Sequence, residues 1–240
     1  MISQFIDAAQ EGNTSLVKKF LQQGVSVNAV GANGLTALHY AARYGQSKVV
    51  SILIENNANV HVKHPIIMSE YDGFTPLHYA SKSGHGNVVN MLLNAGASVL
   101  DVTSEKYPPL YFAVKYGHSS VVESLVKSGA IVNEVWACGW TPLLEACFGG
   151  FPQVVSQLLK SGANIHAKTR DEWTVLMAAA VDGHDQVVEL LIQEGANVHE
   201  TNAKGSTAIQ IATARGHDKV VKHLQHGLHT SYAQACTICQ

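Results

Sequence analysis

Apolar residues recur along this chain in short clusters with three- and four-residue spacing. Val50, Leu53 and Ile54 form one, Val89, Leu92 and Leu93 a second, Val155, Leu158 and Leu159 a third, and Val188, Leu191 and Ile192 a fourth. That spacing predicts a run of short helices, each burying one stripe. Ahead of each lies an Ala-rich segment that also reads as helix, and between the two stands a turn glycine, often with histidine: Gly45, Gly84-His85, Gly117-His118, Gly150, Gly183-His184 and Gly216-His217. The apolar helices end at Gly24, Gly96, Gly129, Gly162 and Gly195, with Asn57 as the one substitute. Glycine, and next to it asparagine, tolerates the left-handed geometry that closes a helix, so this column is a C-cap. The pattern predicts paired helices throughout.

The pairs have a fixed period. Versions of Asp72-Gly-Phe-Thr-Pro-Leu-His-Tyr-Ala80 return with the threonine position at Thr36, Thr75, Pro108, Thr141, Thr174 and Thr207, at intervals of 39, 33, 33, 33 and 33. A period of about 33 with a Thr-Pro-Leu-His-x-Ala element resembles the ankyrin repeat family. The resemblance implies an all-α fold, an ankyrin-repeat solenoid of stacked helix-turn-helix units with short β-hairpin-like tips. Units are expected at about 1–33, 34–72, 73–105, 106–138, 139–171, 172–204 and 205–230 in a single domain, followed by a tail at 231–240. The first unit, with Phe5, Ile6, Ala8, Ala9, Leu16, Val17, Phe20 and Leu21 but no Thr-Pro element, reads as a cap. The last turns polar at Gln225 and His226, as suits the far end of a stack.

Three departures stand out. The 39-residue interval carries six extra residues near His64-Pro-Ile-Ile-Met-Ser69, expected as a protruding loop at a tip. Lys106 and Glu172 stand where a tip uses glycine at positive φ, which predicts reshaped or loosened tips. Pro108-Pro109-Leu-Tyr111 loses both the threonine and the histidine of the motif, marking a weak joint.

Charge and composition remove several functions. With 16 Lys+Arg against 18 Asp+Glu and no run of like charge, there is no basic face for nucleic acid. No charged-then-apolar leader and no long apolar run argue for a membrane or secretion, so an intracellular monomer, cytoplasmic or nuclear, is expected. Nine of the 13 histidines are absorbed by the repeat: His39 and His78 as hydrogen-bonding residues of the Thr-Pro-Leu-His element, His85, His118, His184 and His217 in the inter-helix turns, and His61, His166 and His199 in a polar linker column. Cys138 and Cys147 read as isolated thiols. There is no Gly-rich phosphate loop, His-Glu-x-x-His pair or Gly-x-Ser-x-Gly turn, so no enzyme and no cofactor are expected.

What the repeat does not need for itself is candidate binding surface. The column before the threonine gives Phe74, Tyr107, Trp140 and Trp173, an aromatic ladder, with Trp136 on the same finger as Trp140. Near the turn glycine stand Arg43, Lys82, Lys115 and Phe148, with Tyr44 and Tyr116 beside them. The resemblance implies a protein partner bound on the concave face and the tips, and basic residues beside rings suit a peptide with apolar and acidic side chains. Ile66, Ile67 and Met68 either join that contact or fold back on the flank. The alternative is the substrate-recognition part of a larger ubiquitin ligase, because Cys236-Thr-Ile-Cys239 resembles the opening of a RING-type zinc finger. Apart from that cysteine pair no metal ligand is expected, and a structural spacer is the third reading.

Overall fold

The computed structural model describes residues 1–65 and 71–237, with side chains to 228. The helices fall into two compact units, 1–130 and 131–240. The first unit holds α1 (Ile2–Glu11), α2 (Thr14–Gln22), α3 (Ala37–Arg43), α4 (Ser47–Glu55), α5 (Pro76–Ser83), α6 (Gly86–Asn94), α7 (Pro109–Lys115) and α8 (Ser119–Lys127). The second holds α9 (Pro142–Phe148), α10 (Pro152–Lys160), α11 (Val175–Ala180), α12 (Asp185–Gln193), α13 (Ala208–Arg215) and α14 (Asp218–Thr237).

Within each unit the odd-numbered helices pack on one another and the even-numbered ones form a second layer. Side-chain size explains the arrangement. Ala37, Ala41 and Ala42 of α3 are buried, and such small residues let neighbouring backbones approach. Val49, Val50 and Leu53 of α4, then Val88, Val89 and Leu92 of α6, fill the space between the layers. Each buried Leu contributes about 2 kcal/mol.

The predicted threonine column caps the first helices. Thr75 Oγ1 accepts the His78 N–H while His78 Nδ1 accepts the Thr75 N–H at 3.1 Å, and Thr36 with His39 forms the same capping box. The other ring nitrogen reaches the next tip: His39 Nε2 donates to the Val62 carbonyl at 3.1 Å and His78 Nε2 to that of Tyr107 at 3.2 Å. A ring that accepts at Nδ1 and donates at Nε2 is neutral. Burial, the main cause, pulls His39 down to about 4 and His78 to about 3. The turn histidines also link repeats. His85 Nε2 donates to the Arg43 carbonyl, His184 to that of Phe148 and His217 to that of Val181, at 2.9 to 3.1 Å.

The tips are short hairpins closed by one backbone bond across four residues. Gly31 N donates to Leu35 O, Thr103 N to Tyr107 O, Trp136 N to Trp140 O, Thr169 N to Trp173 O and Asn202 N to Ser206 O. Three of the tips also form isolated antiparallel bridges, such as Val30 with Thr36. In the long interval the same bond runs from His64 N to Phe74 O. Ile66, Ile67 and Met68 lie outside the described residues.

One expectation needs correcting. Lys106 and Glu172 adopt φ of 64° and 60°, yet their tips keep the ordinary closure, with Lys106 N bonded to Thr103 O and Glu172 N to Thr169 O. The strain is borne in place, because the flanking bonds fix the turn. The last helix is continuous. Gly227 does not interrupt it: α14 runs through to Thr237, and Gly227 sits against Ile192 and Val198, where the absent side chain permits close approach. The Pro108 repeat also forms its helix. Pro108 supplies no side-chain cap, while Pro109 through Val114 are buried.

Candidate functional site

In the first unit the three expected cations close successive first helices, Arg43 on α3, Lys82 on α5 and Lys115 on α7. A positive charge in a last helical turn is favoured by the helix dipole. Each lies over tyrosine. The Arg43 guanidinium is 5.1 Å from the Tyr71 ring centre and 5.8 Å from those of Tyr44 and Tyr79. Lys82 Nζ is 4.5 Å from Tyr71 and 5.6 Å from Tyr116, and Lys115 Nζ donates to the Tyr111 hydroxyl at 3.0 Å. Tyr44 and Tyr116 are 46% and 43% exposed. Tyr107 is half-buried and stacked on Tyr111 at 4.0 Å.

Tyr71 joins Arg43 to Lys82, and sequence reasoning missed it. It follows the inserted residues and so belongs to no repeat column; an unassigned aromatic two residues before a tip glycine was the available signal.

Phe74 departs from the expected ladder. It is 1% exposed, 4.6 Å from the Phe112 ring, 5.1 Å from Tyr79 and 5.3 Å from Tyr71. Trp136, 3% exposed, is also interior. Both are packing residues here and present no ring to a partner. Position in the repeat fixes where a residue starts, but its neighbours decide whether it is covered.

In the second unit the two other rungs come together. Trp140 meets Phe148 edge to face, 5.2 Å between ring centres and 83° between planes. These rings, with Trp173, Val181 and the tip residues Cys138, Arg170 and Asp171, line an open cleft of about 310 Å³. Phe148 is 42% exposed, and Trp140 and Trp173 are half-buried. The second tip is held by Trp173 N donating to Thr169 Oγ1 at 3.1 Å and Ala203 N donating to the Asp171 carbonyl at 3.0 Å. Neither charged side chain of Arg170 or Asp171 has an ion-pair partner among the described residues.

Among the described residues no group of three or more His, Cys, Asp or Glu could hold a metal. Cys236 falls in α14, but its side chain is outside the described set, as is Cys239 altogether. Cys147 is buried, which pushes its thiol well up from the ordinary value. No described helix is long and apolar enough to cross a membrane.

Residues 5–104, 98–169 and 149–232 match the family profile described as ankyrin repeats (3 copies). An ankyrin repeat-containing protein of Schizosaccharomyces pombe is 39% identical over 56 residues, 23% of this chain and 27% of that protein. A putative ankyrin repeat protein of Fowlpox virus is 40% identical over 48 residues, 20% of this chain and 34% of its own length. The matched region thus spans about a quarter to a third of these curated relatives. The crystal structure of the human ASB11 ankyrin repeat domain superposes with a TM-score of 0.80 at 30% identity, covering 91% of this chain and 96% of that one.

Proposed function

We propose that this chain, which belongs to the ankyrin repeat family, is a non-enzymatic adaptor that captures a protein partner on its first-helix ends and hairpin tips. Ankyrin repeats are in general protein–protein interaction modules and not enzymes. The observation that carries the reading is the convergence of Trp140, Phe148 and Trp173 on one open cleft. Nothing in the helix caps or the interlayer packing requires three large rings there, and tryptophan supplies a disproportionate share of binding energy at interfaces.

The partner is a peptide segment with apolar and acidic side chains. An apolar side chain suits the cleft of the second unit, and, taken by itself, the Arg43, Lys82 and Lys115 row of the first unit suits a carboxylate. Rings beneath those cations hold their long side chains ready, so less freedom is lost on binding. The adaptor works as a monomer inside the cell, where thiols such as those of Cys138 and Cys147 persist unpaired.

The test is capture by the wild-type chain beside a Trp140→Ala, Trp173→Ala double variant, with bound proteins identified and their affinities measured. Two lost hot spots weaken binding by at least about 100-fold while the helical signal is kept. Undiminished capture by the folded variant would overturn the reading.

A further inference from the structure

The tryptophan cleft has a second property beyond its apolar walls: it carries one unpaired charge of each sign. Arg170 and Asp171 are consecutive, exposed and without ion-pair partners among the described residues, and both line the cleft. Their neighbour Lys168 is already committed, with Nζ 3.2 Å from Glu172 and 3.5 Å from Glu200. The tip backbone uses the Asp171 carbonyl but leaves its carboxylate over.

Different ligands use these features unequally. A purely apolar side chain would engage the rings and neither charge. A simple anion would engage Arg170 alone, and a simple cation would meet repulsion from it. A compact zwitterion uses all of them. Ring faces attract cations within about 6 Å, and a quaternary ammonium can be stripped of water there without leaving a hydrogen-bond donor unsatisfied. The volume of about 310 Å³ lies at the small end of ligand pockets and suits a head group.

We propose that the cleft formed by Trp140, Phe148 and Trp173 binds a phosphocholine group, its trimethylammonium against the rings and Asp171 and its phosphate on Arg170. This goes beyond the capture of a protein partner, and its outcome is read separately.

The experiment titrates the full chain with phosphocholine, choline, inorganic phosphate and 3,3-dimethylbutyl phosphate, the isostere in which carbon replaces the cationic nitrogen, by calorimetry. Phosphocholine binds about tenfold more tightly than the isostere or choline. Arg170→Gln erases its advantage over choline, and Asp171→Asn weakens it several-fold without weakening the anionic isostere. Both side chains are exposed, so neither variant threatens folding. Equal binding of the isostere, an unchanged affinity in Arg170→Gln, or no phosphocholine binding at millimolar concentration would overturn the assignment. Flotation with phosphatidylcholine vesicles then separates the sources. Retention competed by free phosphocholine identifies a lipid head group; binding of the free compound without retention identifies a soluble or attached group.

Discussion

The ring of His118 occupies the space that a side chain on Gly84 would need: a Cβ built there lies 2.6 Å from the ring Cε1. The same ring donates Nε2–H to the Lys82 carbonyl at 3.0 Å, so one contact both seats the next repeat and fixes the backbone under a cation of the candidate surface.

Gly84→Ala therefore meets two penalties, a left-handed φ of 76° and a collision with a ring held in place. Gly96, at φ 90° with nothing within 4 Å of a Cβ, meets only the first. Urea denaturation is expected to give a loss of about 1 kcal/mol for Gly96→Ala and about 2–4 kcal/mol for Gly84→Ala. Equal losses would mean that the histidine moves aside freely.

Acid should destabilise the fold before carboxylates titrate. His39 and His78 are held neutral in the fold, at about 4 and about 3, against 6.5 as their ordinary value. Below 6.5 the unfolded chain binds more protons, so their contribution is complete above that pH. It declines as pH falls, down to about 4 for His39 and about 3 for His78, by several kcal/mol in total at most. Gln210 caps Thr207 in the same way without titrating, its Oε1 accepting the Thr207 N–H at 2.9 Å. A His39→Gln, His78→Gln variant should show a flatter dependence of melting temperature on pH between 6.5 and 4.

Phe74 and Trp173 share a repeat column but differ in role. Phe74→Ala opens a cavity among Phe112, Tyr79 and Tyr71 and should cost about 3–5 kcal/mol by chemical denaturation. Trp173→Ala, half-buried at the cleft, should cost clearly less and act on binding.

Lys106 holds φ at 64° inside an otherwise regular tip. Lys106→Gly relieves about 1–2 kcal/mol of strain against about 0.4–1 kcal/mol of added unfolded-state freedom, so a net gain of about 0.5–1 kcal/mol is expected in denaturant.

Helix α7 starts at Pro109 without a side-chain cap, whereas α5 has the Thr75 and His78 box. Amide exchange should be faster at Phe112 and Ala113 than at the matching Tyr79 and Ala80. Equal protection would show that burial of α7 and the Tyr107 to Tyr111 stacking replace the missing cap.

The period, the helix pairs, the glycine caps, the capping role of His39 and His78 and the placement of the turn histidines were legible in the sequence, because each rests on local geometry repeated about every 33 residues. So were the positive φ values of Asn57, Lys106 and Glu172, which follow from the columns they occupy. What sequence could not rank was coverage. Phe74, Tyr107, Trp140 and Trp173 are equivalent by position, yet Phe74 is closed over by Tyr71 and Phe112 while Trp140 and Trp173 stay open. Tyr71 itself, outside every column, holds the cations Arg43 and Lys82. The continuation of α14 past Gly227 was likewise settled by packing on Ile192 and Val198. Local sequence determines backbone conformation here through short-range sterics and caps. Which side chains face solvent, and which charges are left unpaired, depends on residues tens of positions away, and only the tertiary structure brings those together.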